Sequence, residues 1–310
     1  MLERISGFPS RFLINYKLNY EIFKNFKRIC RNFIEVYWSH IRNSFPVNAY
    51  LRNGEIVKVE SQAHLLVLLQ GFKFLRYEAL TDITEFEVDG IKVKLAGLSC
   101  GGDLEIFKRS YNLNVKGRIV LDVGANIGDS VISFLNSGAE KVIAVEADPF
   151  SFELLKKNIE INCLEKSVIP VNAAISSHVG TMKIPYRNLS STGTSANFLR
   201  YPEGTEGVSV NQITLDSFVE EYKLSGLVMK MDCEGCEYDA FLGSSGSKAL
   251  SAFDEIILEY HYGARKLIEY FEKNGFKVES TSEKRYYSKD SVPHIMHFGL
   301  LHASKYGSSG

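Results

Sequence analysis

Residues 228–242 read VMKMDCEGCEYDAFL and place two kinds of reactive group in one short stretch. Cys233 and Cys236 have the spacing of a redox pair or half of a zinc site. Asp232, Glu234 and Glu237 crowd three carboxylates into six positions, an arrangement suited to holding cations or moving protons. Carboxylates this close repel one another. The repulsion must be offset by Lys230, by a helix N-terminus at roughly 0.3–1 kcal/mol per charge, or by a cationic ligand. A four-cysteine zinc site would need a second pair, and Cys30, Cys100 and Cys163 stand singly.

A second cluster lies at LDVGANIG (121–128), where an apolar run gives way to glycines. RIVLDV (118–123) reads as a strand buried on both faces, and GDSVISFLNSG (128–138) as the helix after it. The turn between them is where open α/β sheets take ligands. Its pattern is Gly124-x-x-x-Gly128, with Asn126 where a dinucleotide fingerprint needs its second glycine, and no Gly-Lys-Ser/Thr follows. The turn therefore suits a ligand without phosphates. Asp122 ends the first strand, placed to orient the turn or accept from a ligand ammonium. Glu146 ends KVIAVEA (141–147), placed to accept both hydroxyls of a ribose through charge-assisted bonds. Asn172 ends the third strand, within reach of an adenine edge. The candidate ligand-binding set is Asp122, Gly124, Ala125, Asn126, Gly128, Glu146, Ala147, Asn172, Ala173 and Asp232.

The positioning elements alternate from Gly117 onward. Asp148-Pro149 caps and opens a helix over SFELLKKNIEIN. SVIPVNAAIS (167–176) is the third strand, GLVMKMD (226–232) the fourth and EIILEYH (255–261) the fifth. GARKLIEYFEKNG (263–275) is a helix, and FKVESTS with HIMHFGLLHA closes the chain as a hairpin. Alternating βα units imply an α/β fold, doubly wound around a mostly parallel sheet. The polar segment 186–207 interrupts the rhythm; its Ser190, Ser191, Thr192 and Thr194 are candidates for binding an acceptor.

VLDVGANIGDS, AVEADPFSFELLKKNIEIN and LDSFVEEY…VMKMDCEGCEYDAFLG together resemble the FkbM-type S-adenosylmethionine-dependent methyltransferases, over roughly residues 100–262. The resemblance implies a class I methyltransferase fold: a Rossmann-like, seven-stranded sheet with an antiparallel C-terminal hairpin. It implies S-adenosyl-L-methionine as cofactor and methyl transfer, most often to a hydroxyl of a sugar, glycan or secondary metabolite. In the family pattern Lys-x-Asp-x-Glu-Gly-x-Glu, the positions of Cys233 and Cys236 usually hold small apolar residues, so these thiols read as packing. The carboxylates recur. O-methylation needs a base for the departing proton. His261 is the expected base, with Asp232 and Glu234 as alternatives, and Glu237 is expected to anchor the loop. A divalent metal on Asp232, Glu259 and His261 is another way to acidify the hydroxyl. The competing readings are a non-catalytic protein binding S-adenosylmethionine on the same fold and, less favoured, a redox or zinc protein using Cys233 and Cys236.

Upstream, residues 1–50 are basic and aromatic, with Phe23, Phe26, Ile29, Phe33 and Tyr37 on one helical face. A helix packed on the main domain is the preferred reading, with a peripheral membrane contact as the sharper alternative. Residues 51–100 carry two hairpin signals, Asn53-Gly54 and Asp89-Gly90, which leaves 101–310 as the methyltransferase domain. A net charge of −1, and the acidity of the stretch after the fourth strand, argue against nucleic acid as a partner. Five cysteines at irregular positions, no apolar run of spanning length and no signal-peptide pattern suggest a reducing, cytoplasmic setting.

Overall fold

A computed structural model describes residues 23–98, 104–108, 111–185, 206–222, 225–243, 248–287 and 295–305. Residues 23–29 are helical, and α1 (Phe33–Arg42) follows. The interleaved aromatics meet edge to face, with Phe23 5.1 Å from Phe33 and 5.3 Å from Tyr37, a favoured ring geometry. Phe26 and Val36 are fully buried against Val47, Ala49 and Val59 of the hairpin β1 (Val47–Tyr50) and β2 (Ile56–Val59). The helical face predicted to be apolar is thus spent on packing.

Next, α2 (Gln62–Gln70) is capped by the Ser61 hydroxyl, which accepts from His64 N, and closed by Gly71 in the left-handed region. A three-stranded antiparallel sheet follows: β3 (Lys73–Glu78), β4 (Ile83–Val88) and β5 (Ile91–Ala96). Asp89-Gly90 makes the β4–β5 turn with both residues at positive φ, as its sequence requires. Asn158 ties this sheet to the main body by accepting from Ala96 N at 2.7 Å and donating to Ala96 O at 3.1 Å. A 3-10 turn spans Leu104–Lys108.

The main sheet uses β6 (Ile119–Val123), β7 (Lys141–Glu146) and β8 (Val168–Asn172), with α3 (Asp129–Asn136) and α4 (Pro149–Ile161) between them. The predicted third strand breaks at Ala173. Its remainder, β9 (Ala174–Ile175), pairs instead with β11 (Gly207–Ile213), which also pairs with β10 (Gly180–Pro185). Residues 186–205, including Ser190, Ser191, Thr192 and Thr194, lie outside the described residues. The chain continues through α5 (Leu215–Tyr222), β12 (Leu227–Met231), α6 (Cys236–Leu242), β13 (Phe253–Tyr260) and α7 (Arg265–Lys273), then β14 (Phe276–Ser280), β15 (Lys284–Tyr287) and β16 (Ile295–Lys305).

Strand order is β14-β16-β13-β12-β6-β7-β8, with β15 added on β16. The five strands from β8 to β13 run parallel, and β16 is antiparallel to both β13 and β14. This is the expected class I methyltransferase sheet. Every residue of β12 is buried, as its unbroken apolar run around Lys230 demands. The chain order reverses between β6 and β12, so a crevice opens at the carboxyl ends of these two neighbours. Among the described residues no helix is long and apolar enough to cross a membrane.

Candidate active site

The turn after β6 is built from left-handed backbone: Gly124 (φ 75°), Asn126 (φ 48°) and Gly128 (φ 91°). Gly124 has a second reason to lack a side chain, since a Cβ there would strike the carbonyl oxygen of Asp232. Ala125 is fully buried and its N–H donates to Val145 O at 3.0 Å. The backbone of β12's exit therefore packs directly on the turn, joining the two motifs found in the sequence.

Asp122 was expected either to orient the turn or to accept from a ligand ammonium. It is fully buried, accepts from Ser130 Oγ at 2.5 Å and faces Lys230 Nζ at 3.2 Å. Lys230 also donates to Gly124 O at 2.8 Å. Burial works to lower the Lys230 ammonium, but Asp122 and then Asp232 hold it above the ordinary lysine value. The pair clamps the turn from beneath, with Lys230 as the partner.

Glu146 lies at the end of β7 and is 8% exposed. Its oxygens accept from Asn126 N and Asp148 N, each at 2.8 Å. Burial raises the carboxyl to about 7 against those two backbone donors. Each oxygen keeps a lone pair for a further donor, so a vicinal diol would supply what burial removes. Asn172 Nδ2 donates to Glu146 O at 2.8 Å and Ala147 O at 3.3 Å, fixing the strand ends. Ala147 and Ala173 are buried behind them.

The acidic segment forms the other wall. His261 is buried, and its Nδ1 lies 2.8 Å from Glu237 Oε1, whose carboxylate is wholly buried. Glu237 Oε2 accepts from Gly235 N at 3.0 Å, so it both anchors the loop and grips the imidazole. On the opposite ring nitrogen, Nε2 lies 3.6 Å from Glu234 Oε2 and 3.8 Å from Asp232 Oδ1. Burial favours neutral imidazole, yet Glu237, Glu234 and Asp232 carry its pKa to about 10. His261 is thus a cation at neutral pH. Glu234, with 38% of its side chain exposed, is lifted by burial to about 7, the nearby His261 opposing and Asp232 and Glu237 adding. Glu259 is also lifted to about 7, by burial first and then by Asp232.

Tyr111 was not singled out in the sequence and has no motif to mark it. Its hydroxyl lies 3.1 Å from Asp232 Oδ2 and 3.4 Å from Glu259 Oε2, so one proton serves two carboxylates. The expected metal set does not assemble. Among the described residues, the His, Cys or carboxylate atoms that gather within 4.8 Å are those of Cys233, Cys236 and Glu237, not Asp232, Glu259 and His261. Nor are the thiols simple packing groups in a reduced protein, because Cys233 and Cys236 form a disulfide. Spacing alone did not distinguish a closed pair from two buried thiols.

The family model described as Methyltransferase FkbM domain matches residues 122–278, from the first clamp residue through β14. A curated relative, tRNA (guanine(37)-N(1))-methyltransferase Trm5b of Methanocaldococcus jannaschii, is 37% identical over 71 residues, 23% of this chain and 20% of that protein. The match thus spans a fifth of the relative's length. Among solved structures, Trm5b from Pyrococcus abyssi aligns with TM-score 0.41 at 15% identity, covering 81% of this chain and 59% of that one. A precorrin-6y C5,15-methyltransferase from Geobacter metallireducens aligns with TM-score 0.37 at 14% identity, covering 64% and 86%. The expectation that nucleic acid is excluded as a partner is corrected by the curated relative, a tRNA methyltransferase. That expectation drew on net charge and on the acidity of one short segment, and neither describes the rest of the surface.

Proposed function

The chain belongs to the methyltransferase FkbM family, and we propose that it transfers a methyl group from S-adenosylmethionine to an acceptor atom that must shed a proton, in the first instance a hydroxyl oxygen. The observation that carries this reading is Glu234: a half-exposed carboxylate with a pKa of about 7, beside the buried His261–Glu237 pair and on the loop that packs against the glycine turn.

The donor's residues fit their task. The turn Gly124–Gly128 and Glu146 would hold the nucleoside end, with Glu146 taking the ribose hydroxyls that burial leaves it short of. Bound there, the donor supplies an electrophilic methyl group on a positively charged sulfur. Asp232, 31% exposed at the carboxyl end of β12, gives that charge a partner.

Proton transfer falls to the chain itself. His261 is already protonated, so the base role expected of it passes to its neighbours. Glu234 Oε2 accepts the acceptor's proton, and the imidazolium 3.6 Å away stabilises the carboxylate before transfer. Glu237 holds His261 in place, and Tyr111 holds Asp232 and Glu259 apart with one shared proton. These are positioning residues.

Hydroxyls of sugars, glycans or secondary metabolites fit this chemistry. A second reading, methylation of a protonated ring nitrogen in RNA, is favoured by the 37%-identical tRNA methyltransferase segment. Incubation with methyl-labelled S-adenosylmethionine and parallel panels of polyols, glycans and tRNA separates the two. Alkali-stable label on an oxygen, lost about 10²-fold or more in Glu234→Gln, is the expected result. Label on a tRNA base nitrogen would replace the hydroxyl reading, and full turnover in Glu234→Gln would remove the base.

A further inference from the structure

The disulfide lies in the loop that forms one wall of the site. Cys233 and Cys236 bracket Glu234 and Gly235, which stand consecutively in the left-handed region at φ 57° and 116°. Glu234 is a non-glycine residue there, a conformation that persists only when its surroundings impose it. Few other ties do so. The Cys236 N–H reaches Cys233 O only at 3.4 Å, and no side chain caps the start of α6. Gly235 N is held by Glu237 and Asp232 N by Val123 O. The disulfide is the covalent closure of this segment. A ring this short removes little chain entropy, so its bond contributes less to stability than a long-range bridge does.

We propose that Cys233–Cys236 is a redox couple, opened by a dithiol reductant, and that opening it releases the loop and loosens the methyl-donor site. Two contacts transmit the change. The Asp232 carbonyl packs against Gly124, so loop and donor turn move together. Cys233 Sγ also lies 3.4 Å from Glu237 Oε2, and once reduced it gives that carboxylate a third donor beside His261 and Gly235 N. The exchange balances. A thiolate of the reductant attacks the sulfur of Cys233, a residue 7% exposed against 1% for Cys236. The sulfur–sulfur bond breaks, Cys236 leaves as thiolate and takes a proton. The reductant's second thiol then displaces Cys233 and closes the reductant's own disulfide. Two electrons and two protons enter the protein. The free cysteines Cys30 and Cys163 take no part.

The coupling to the donor site rests on the proposed function; the redox couple does not. Full-length protein is equilibrated in reduced or oxidised dithiothreitol under native conditions, then alkylated and mapped by mass spectrometry. Cys233 and Cys236 should be protected together when oxidised and labelled together when reduced, with the fold intact by circular dichroism. Deuterium uptake at 124–128 and 232–237 should rise about tenfold on reduction, and affinity for S-adenosylhomocysteine should fall about tenfold. A Cys233→Ala/Cys236→Ala protein should show the reduced values in both buffers. Labelling of both thiols without reductant, or reduction only on unfolding, overturns the couple. Unchanged exchange at 124–128 after reduction overturns the coupling. Absence of S-adenosylhomocysteine binding in both states would instead count against the donor assignment, and exchange would still judge the loop.

Discussion

Removing the His261 side chain should expose how the acidic wall is held together. Glu237 is wholly buried, and His261 is the cation in contact with it, at 2.8 Å. Deleting one partner of a buried ion pair strands the other charge, at a cost of roughly 3–5 kcal/mol. His261→Ala should lose stability on that scale, measured by urea unfolding followed by far-ultraviolet circular dichroism. The loss should depend on pH in a defined direction. The folded imidazole titrates at about 10 against an ordinary value near 6.5, so its stabilisation is complete below about 6.5 and declines as pH rises towards 10. The gap between wild type and His261→Ala should therefore be widest at pH 6 and narrow steadily to pH 10. In Glu237→Gln the same titration should shift towards the ordinary histidine value. A gap under about 1 kcal/mol at pH 6, or one that does not narrow, would show that the pair is not an ion pair.

Three further outcomes follow from the same geometry. Gly124→Ala should destabilise by more than the roughly 1–2 kcal/mol of a left-handed alanine, because its Cβ meets the Asp232 carbonyl, and calorimetry should show donor affinity lost with it. Lys230→Met strands the buried Asp122 carboxylate and should cost roughly 3–5 kcal/mol in urea unfolding, while Lys230→Met/Asp122→Asn should cost less than the summed single variants. Turnover on any acceptor should rise with pH and level off above about 7 as Glu234 ionises, and Glu234→Gln should abolish that rise.

Much of the frame was legible because its signals are local. IVLDV and VMKM are apolar runs with one charge each, which only strands buried on both faces tolerate, and Asp148-Pro149 marks its helix start by capping chemistry alone. What escaped depends on partners distant in sequence. For Asp122 the sequence left open an orienting role or a ligand contact, and its partner Lys230, on the adjacent strand and level with it in register, has no local signal. Tyr111 reaches Asp232 across 121 positions without a motif. The helix Gln62–Gln70 is bounded by Ser61 and Gly71. The break at Ala173 is set by the pairing of β9 with β11, which the run SVIPVNAAIS does not encode. The carboxylates that raise the pKa of His261 are gathered around it by the fold, and its own strand gives no sign of them.

Donor binding is the central claim, and Glu146 tests it most directly. The purified protein is titrated calorimetrically with S-adenosylmethionine and S-adenosylhomocysteine, with NAD as control, alongside Glu146→Ala. Micromolar binding of the two sulfur compounds, none of NAD, and at least a tenfold loss in the variant are the results that the turn and Glu146 require. Equal affinity in wild type and Glu146→Ala, or no binding of either sulfur compound, would contradict the assignment of this crevice as the methyl-donor site.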